Sequence, residues 1–207
     1  MKTVFLTGIH TDAGKTVASA IICKALKADY WKPIQSGYPE DSDTRTVKTL
    51  VGETEIAFHP ESYTLKAPLS PHTAADQEGI RIDLNKVVRP RANRLLIEGA
   101  GGLLVPLNEK DTIVNLLKPE DRVILVSRHY LGSINHTLLS VALLNNLGFK
   151  PGIIFVGNPN PSTEDAILSL GDCEHIGRIE ETDQVDANFV AAQSVLLQKK
   201  LEEWLEE

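Results

Sequence analysis

Short apolar runs alternate with helical patterns over most of the chain. Residues 3–7 form a brief apolar run that predicts a buried strand, and residues 16–28 predict a helix with Val17, Ala20, Ile21 and Lys24 in its turns. A second short strand is expected over 30–32, stopped by Pro33. The stretch 34–83 is looser and rich in Pro, Ser and Thr, with short helices near 44–51 and 72–78. From Arg94 the alternation returns. Strands are expected at 95–97, 122–127, 152–156 and, shorter, 175–179; a strong helix spans 133–147 and is closed by Gly148, and a carboxy-terminal helix covers 185–206. Strands separated by helices imply a mainly parallel sheet with right-handed crossovers and helices on both faces, a three-layer α/β fold. Ligands in such sheets bind beyond the carboxyl ends of the strands. No repeat or low-complexity linker interrupts the pattern, so residues 1–207 read as a single domain.

Composition narrows the function. Hydrophobic residues make up 42% and charged residues 24%, which suits a folded globular chain rather than a disordered one. The net charge of −7 disfavours a general nucleic-acid surface but leaves room for a local basic pocket. Cys23 and Cys173 lack metal-ligand spacing and read as reduced structural thiols. No apolar stretch approaches membrane-spanning length, and the amino terminus runs straight into a strand and a motif rather than reading as a signal peptide. No membrane partner is expected, and the cytoplasm is the default location.

The strongest motif follows the first strand: Gly8-Ile9-His10-Thr11-Asp12-Ala13-Gly14-Lys15-Thr16, running directly into the first helix. Backbone N–H groups at a helix start converge on one point and attract anions, and glycine lets that backbone approach phosphate oxygens. Lys15 is placed to reach the β- and γ-phosphates of ATP, and the Thr16 hydroxyl to sit on Mg²⁺. A lysine at a helix start is disfavoured by the helix dipole unless an anion is present. The loop is a variant, with five residues between Gly8 and Gly14 instead of four.

Other unusual residues also follow the apolar runs. Glu98 ends a strand and precedes Gly99-Ala100-Gly101-Gly102; a carboxylate there needs a metal or an ion pair, and beside a phosphate loop Mg²⁺ is the preferred partner. Lys32, before Pro33-Ile34-Gln35-Ser36-Gly37, reads equally as a group that stabilises a transferring phosphoryl and as a surface lysine before a turn. Asp41, Asp43 and Arg45 precede a short helix, and Asp43 alone reads first as a helix cap and second as a metal ligand. Gly132-Ser133-Ile134-Asn135-His136 opens the strongest helix, whose free N–H groups could hold a carboxylate or whose Ser could simply cap. His136 reads as structural, and Asn158 reads either as a base-edge contact or as a plain loop residue.

Taken together, the loop ending Thr11-Asp12-Ala13-Gly14-Lys15-Thr16, the Lys32–Gly37 motif, Asp43, Ser70-Pro71-His72, Glu98–Gly102 and Leu131–His136 resemble the dethiobiotin synthetase family over nearly the whole chain, including its unusual Gly8-to-Gly14 spacing. The resemblance implies a P-loop NTPase-like fold and a cyclo-ligase that joins 7,8-diaminononanoate and CO₂ using Mg-ATP. It implies a carbamate on one amine, attack on the γ-phosphate to give a mixed anhydride, and closure by the second amine to a cyclic urea. It implies ATP phosphates along Asp12, Ala13, Gly14, Lys15, Thr16 and Val17, with Glu98, Gly99, Ala100 and Gly101 alongside. By the same resemblance Thr16, Asp43 and Glu98 hold Mg²⁺, and Lys15, Lys32 and Thr11 are catalytic. Thr11 and Ser36 contact the diamine. Asn158 faces adenine, and Gly177, Arg178, Ile179 and Glu180 lie along the nucleoside. The family is a homodimer, and the helix start at Gly132, Ser133 and Asn135 of one subunit grips the substrate carboxylate bound to the other.

Two departures stand out: His10 where the family usually has Asp, and Glu180 where Pro is common. The connection from the first helix to Lys32 is also short. A related amidoligase with a glutaminase domain is disfavoured, because there is no room for that domain and neither Cys sits in a nucleophile-like setting. A partner-switching partition or division-site ATPase is the alternative of a different class. Such proteins carry a second lysine where this chain has His10, and the acidic carboxy-terminal helix does not suit an anionic membrane.

Overall fold

The structure is a computed structural model that describes residues 2–37, 40 and 42–206. Seven parallel strands form the central sheet in the order β4-β2-β6-β1-β7-β8-β9: β1 (Lys2–Gly8), β2 (Asp29–Trp31), β4 (Phe58–His59), β6 (Arg94–Glu98), β7 (Arg122–Arg128), β8 (Gly152–Val156) and β9 (Glu174–Ile179). A two-stranded parallel sheet pairs β3 (Ile34–Ser36) with β5 (Tyr63–Leu65). The helices are α1 (Lys15–Leu26), α2 (Asp43–Val51), α3 (Pro71–Gln77), α4 (Ser133–Asn146), α5 (Pro161–Leu170) and α6 (Ala187–Glu206).

Strand alternation divides the core into layers. Val4 and Leu6 of β1, with Leu96 of β6, Ile124 and Val126 of β7 and Ile154 of β8, face α1, α2 and α6, where Ile21, Val47, Leu197 and Trp204 are buried against them. Phe5, Leu95 and Ile97 face the other way, towards Ala74 and Ala75 of α3 and Leu107 and Ile113. Leu125, Ile153 and Phe155 face Val141 of α4 and Ile167 of α5. Both faces of the inner strands are therefore apolar, as a parallel sheet requires. This is the three-layer α/β arrangement with helices on both faces that the sequence pattern predicts.

The differences are local. The loose stretch 34–83 contains β3, β4 and β5, each of three residues or fewer, too short to show a period. Helix α5 has no counterpart among the predicted elements; Pro161 opens it and Asn160 caps it by accepting from Thr163 N. Asp43 is the first residue of α2 rather than its cap; Ser42 caps the helix by accepting from Arg45 N at 3.4 Å. Arg45 lies within that helix rather than before it, and Asp41 lies outside the described residues. Likewise α4 is capped by Gly132 in the left-handed region and Ser133 is its first helical residue.

Candidate active site

The phosphate loop joins β1 to α1. Gly14 has φ 94°, a value L side chains rarely adopt, and stands as the N-cap that turns the chain into the helix. The first N–H groups of any α-helix lack intrahelical acceptors, so those at the start of α1 face an anion-binding hollow. The parallel loop after β6 packs close beside it: Gly8 N–H donates to Gly101 O at 3.4 Å, and a Cβ on Gly101 would lie 2.8 Å from the Val105 side chain.

The side chains converge on a cavity of about 600 Å³ at the carboxyl ends of β1, β2 and β6. Thr11, Asp12, Lys15 and Thr16 line it from the phosphate loop, and Lys32, Ser36 and Asp43 from the segment after β2. Glu98, Ala100 and Gly101 come from the loop after β6. Residues far apart in the chain thus share one hollow.

At its floor, Lys32 is ion-paired with Asp43 and, at 3.1 Å, with Glu98 Oε1. Thr16 Oγ1 donates to Asp43 Oδ1 at 2.5 Å and lies 3.4 Å from Glu98 Oε1. Glu98 Oε2 accepts from Ser19 Oγ at 2.5 Å and Tyr30 Oη at 2.9 Å. Burial opposes the charge on Lys32, but Glu98 and Asp43 outweigh it and hold its pKa above the ordinary lysine value. Burial works against the Asp43 carboxylate too, and Lys32 overrides it, keeping Asp43 below the usual carboxylate range. Lys15 is different. Burial dominates, aided by Lys32 and opposed by Glu98 and Asp43, and its pKa falls to about 8.

Lys32 is 4% exposed, so it is not a surface lysine before a turn. Thr16 Oγ1, Asp43 and Glu98 Oε1 make a compact set of hard oxygen donors, which fits Mg²⁺. Among the described residues no group of three His, Cys, Asp or Glu side chains gathers, so an ion here would complete its shell with phosphate oxygens and water, as Mg²⁺ commonly does.

A family model described as an AAA domain matches residues 2–188. A relative from Christiangramia forsetii named ATP-dependent dethiobiotin synthetase BioD is 51% identical over 202 residues, covering 97% of this chain and 98% of its own. One of the same name from Cytophaga hutchinsonii is 43% identical over 210 residues, covering 100% of both. The chain belongs to the dethiobiotin synthetase family. Among solved structures, the MinC:MinD cell division protein complex of Aquifex aeolicus matches with a TM-score of 0.54 at 14% identity, covering 100% of this chain and 97% of that one. A putative plasmid partition protein from Borrelia burgdorferi bound to AMPPNP gives 0.52, also at 14% identity, covering 99% and 97%. At that identity the likeness is one of fold, the P-loop NTPase-like fold that dethiobiotin synthetases share.

The remaining residues that the synthetase resemblance singles out lie outside this cavity. Gly132 and Asn135 are exposed at the start of α4, and Ser133 is buried there, its carbonyl accepting from Thr137 Oγ1 at 2.7 Å. Asn158 is exposed on the turn after β8, and Arg178, Ile179 and Glu180 lie at the end of β9 and just beyond it. The Arg178 guanidinium bonds to Glu164 and to the carbonyls of Gly157 and Asn158. His136 has a partner, the Tyr130 hydroxyl. Cys23 is buried and Cys173 half-buried, both as free thiols. Sequence reasoning missed Ser19 and Tyr30, although both carried a signal: Ser19 is three residues past Thr16 on the same helix face, and Tyr30 is two before Lys32.

Proposed function

We propose that the protein closes 7,8-diaminononanoate and CO₂ into dethiobiotin, converting ATP to ADP and phosphate. The observation that carries this reading is the pair of buried ammonium groups, Lys15 and Lys32, lining the same cavity as Asp43, Glu98 and the hydroxyls of Thr11 and Thr16. No nucleophilic side chain is needed there. One substrate amine adds to CO₂ and loses a proton to give a carbamate. The carbamate oxygen attacks the γ-phosphorus of ATP as the bond to ADP breaks, and the second amine then displaces phosphate at the carbonyl to close the ring.

The chain's contribution is positioning and charge. The loop from Asp12 to Val17 binds the phosphates, with Glu98 to Gly101 alongside. Lys15 holds positive charge at the transferring phosphoryl. Lys32, kept protonated by Asp43 and Glu98, faces the carbamate. Thr16, Asp43 and Glu98 would hold Mg²⁺, which when bound neutralises phosphate charge. Thr11 and Ser36 contact the diamine; Ser36 Oγ is shielded from solvent and lacks a hydrogen-bond partner among the described residues. A neighbouring groove of about 460 Å³ shares Thr11 and Val105 with the cavity and is walled by Ile9, Leu103, Leu139 and Leu143, which suits a hydrocarbon chain. In a cytoplasmic homodimer, the partner's α4 start would take the substrate carboxylate. Asn158 faces the base, with Arg178, Ile179 and Glu180 along the nucleoside.

The test is product mass. Incubation with diamine, bicarbonate and Mg-ATP should yield dethiobiotin, and phosphate release should require the diamine and bicarbonate together. Equal phosphate release without the diamine would reject the assignment.

A further inference from the structure

A second polar cluster ties together the loops after β7 and β8 and the end of β9. Glu164, in the first turn of α5, is 9% exposed. Its Oε1 accepts from His129 Nε2 at 2.9 Å and from the Asn160 N–H at 2.8 Å, and its Oε2 is ion-paired with Arg178. Arg178 carries the tie onward: Nη1 donates to the carbonyls of Gly157 at 3.2 Å and Asn158 at 3.4 Å. His129 stacks on Phe155, with ring centroids 5.5 Å apart.

The strand geometry is arranged to bring Arg178 here. Ile176 and Ile179 both pack into the core beneath α1 and α6, although an odd number of positions separates them. A register shift opposite Ile153 and Ile154 absorbs the extra residue. Arg178 thereby reaches Glu164 on the opposite face, where His175 also lies against Phe155. Burial by itself would raise the Glu164 carboxyl, but bonds from Arg178, Asn160 and His129 bring it down to about 2. The cluster is thus a charged brace built from the turn after β7, from α5 and from β9, and the main-chain groups it grips are the Asn160 N–H and the carbonyls of Gly157 and Asn158. Gly157 sits in the left-handed region at φ 112°, and its N–H donates to Ile179 O at 3.0 Å.

We propose that Glu164 is a positioning residue for nucleobase selection: through Arg178 it fixes the Gly157–Asn158 turn, so that the Asn158 carboxamide is presented to the edge of an adenine. The pairing is chemically apt, since a carboxamide offers a donor and an acceptor that match adenine's amino group and ring nitrogen. This rests on the reading above that Asn158 faces the base.

The test uses full-length protein, comparing ATP with GTP in turnover and ADP with GDP in calorimetric binding, for wild type, Glu164→Gln and Glu164→Asp. Wild type should prefer the adenine nucleotide. Glu164→Gln should raise KM for ATP and erode the preference by about tenfold, the scale of coupling within one bonded network. Its kcat at saturating ATP and its KM for the diamine should stay within about twofold of wild type, since only ordering of the turn is lost. Glu164→Asp, which keeps the charge, should recover part of the preference. An unchanged adenine preference in Glu164→Gln, no preference in wild type, or an equal loss with every nucleotide would overturn the proposal. If Glu164→Gln does not fold, Glu164→Asp decides by the same ratio: its shorter side chain should lose part of the adenine preference, and a preference equal to wild type would overturn the proposal. Were the wild type to make no dethiobiotin, the proposed reaction would fail while the ADP-to-GDP binding ratio still judged this inference.

Discussion

Lys15 Nζ donates to the carbonyl oxygens of Thr11 at 2.8 Å and His10 at 3.1 Å, so the phosphate loop holds its own ammonium within its curve. Burial depresses the pKa of that group from 10.5 to about 8. The ammonium's burial cost is therefore present below pH 8 and relieved as the pH rises towards 10.5. A triphosphate favours the charged form, so above pH 8 nucleotide binding must take up a proton. We expect nucleotide affinity to be flat from pH 7 to about 8, then to weaken by up to about tenfold per pH unit. Lys15→Ala should bind weakly without this pH dependence and lose about 10²–10³ in turnover while remaining folded. Calorimetry across pH 7–9.5 checks the first expectation; a flat wild-type profile would refute it.

Among the described residues Lys32 is ion-paired with two carboxylates, Asp43 and Glu98. Lys32→Met leaves Asp43 and Glu98 facing each other, and breaking a buried pair costs about 3–5 kcal/mol. Asp43 has a depressed folded pKa, so its stabilisation is present above the ordinary carboxylate range and lost as pH falls through the folded value. In the variant the two carboxylates repel each other, and Asp43 loses the cation that holds its pKa down. The gap in melting temperature between wild type and Lys32→Met should thus be widest near pH 7 and shrink towards pH 4. A gap independent of pH would argue against the pairing.

The parts of the site legible in the sequence were those carried by local pattern. Gly8 to Thr16 lies between a strand and a helix and reads at sight, and Glu98 is conspicuous because a carboxylate ends an apolar strand. Lys32 was not legible by itself. What decides its role is that β2 lies beside β6 in the sheet, which sets Trp31 opposite Ile97 and so brings Lys32 to Glu98; no local signal encodes that neighbour. Asp43 looked like a cap because Asp commonly caps, whereas Ser42 already does so and frees Asp43 for Lys32 and Thr16. Strands β3, β4 and β5 stayed hidden because three residues carry too little periodicity. The brace at Glu164 carries no local signal because its members come from the turn after β7, from α5 and from β9, and the sequence pattern does not predict α5.

The oxygen set around Thr16 yields an expectation about metal. Chelation of Mg²⁺ should abolish turnover and return of Mg²⁺ restore it. Asp43→Asn keeps the side chain's shape but removes a charge, and should raise the Mg²⁺ concentration for half-maximal turnover by about tenfold or more. Titration of turnover against Mg²⁺ at fixed ATP measures this; an unchanged midpoint would remove Asp43 from the metal site.

Ser36 lines the cavity, and its Oγ, shielded from water, has no hydrogen-bond partner among the described residues. A hydroxyl kept in that state costs folding free energy, so deleting it should leave stability unchanged or slightly improved. If the hydroxyl instead finds its partner in the diamine, deletion should cost about 0.5–1.5 kcal/mol of substrate binding. Ser36→Ala is therefore expected to melt at or above the wild-type temperature and to raise KM for the diamine by roughly two- to tenfold. KM for ATP should stay the same, because the phosphate loop is untouched. A lowered melting point with an unaltered diamine KM would show that the hydroxyl supports the fold rather than the substrate.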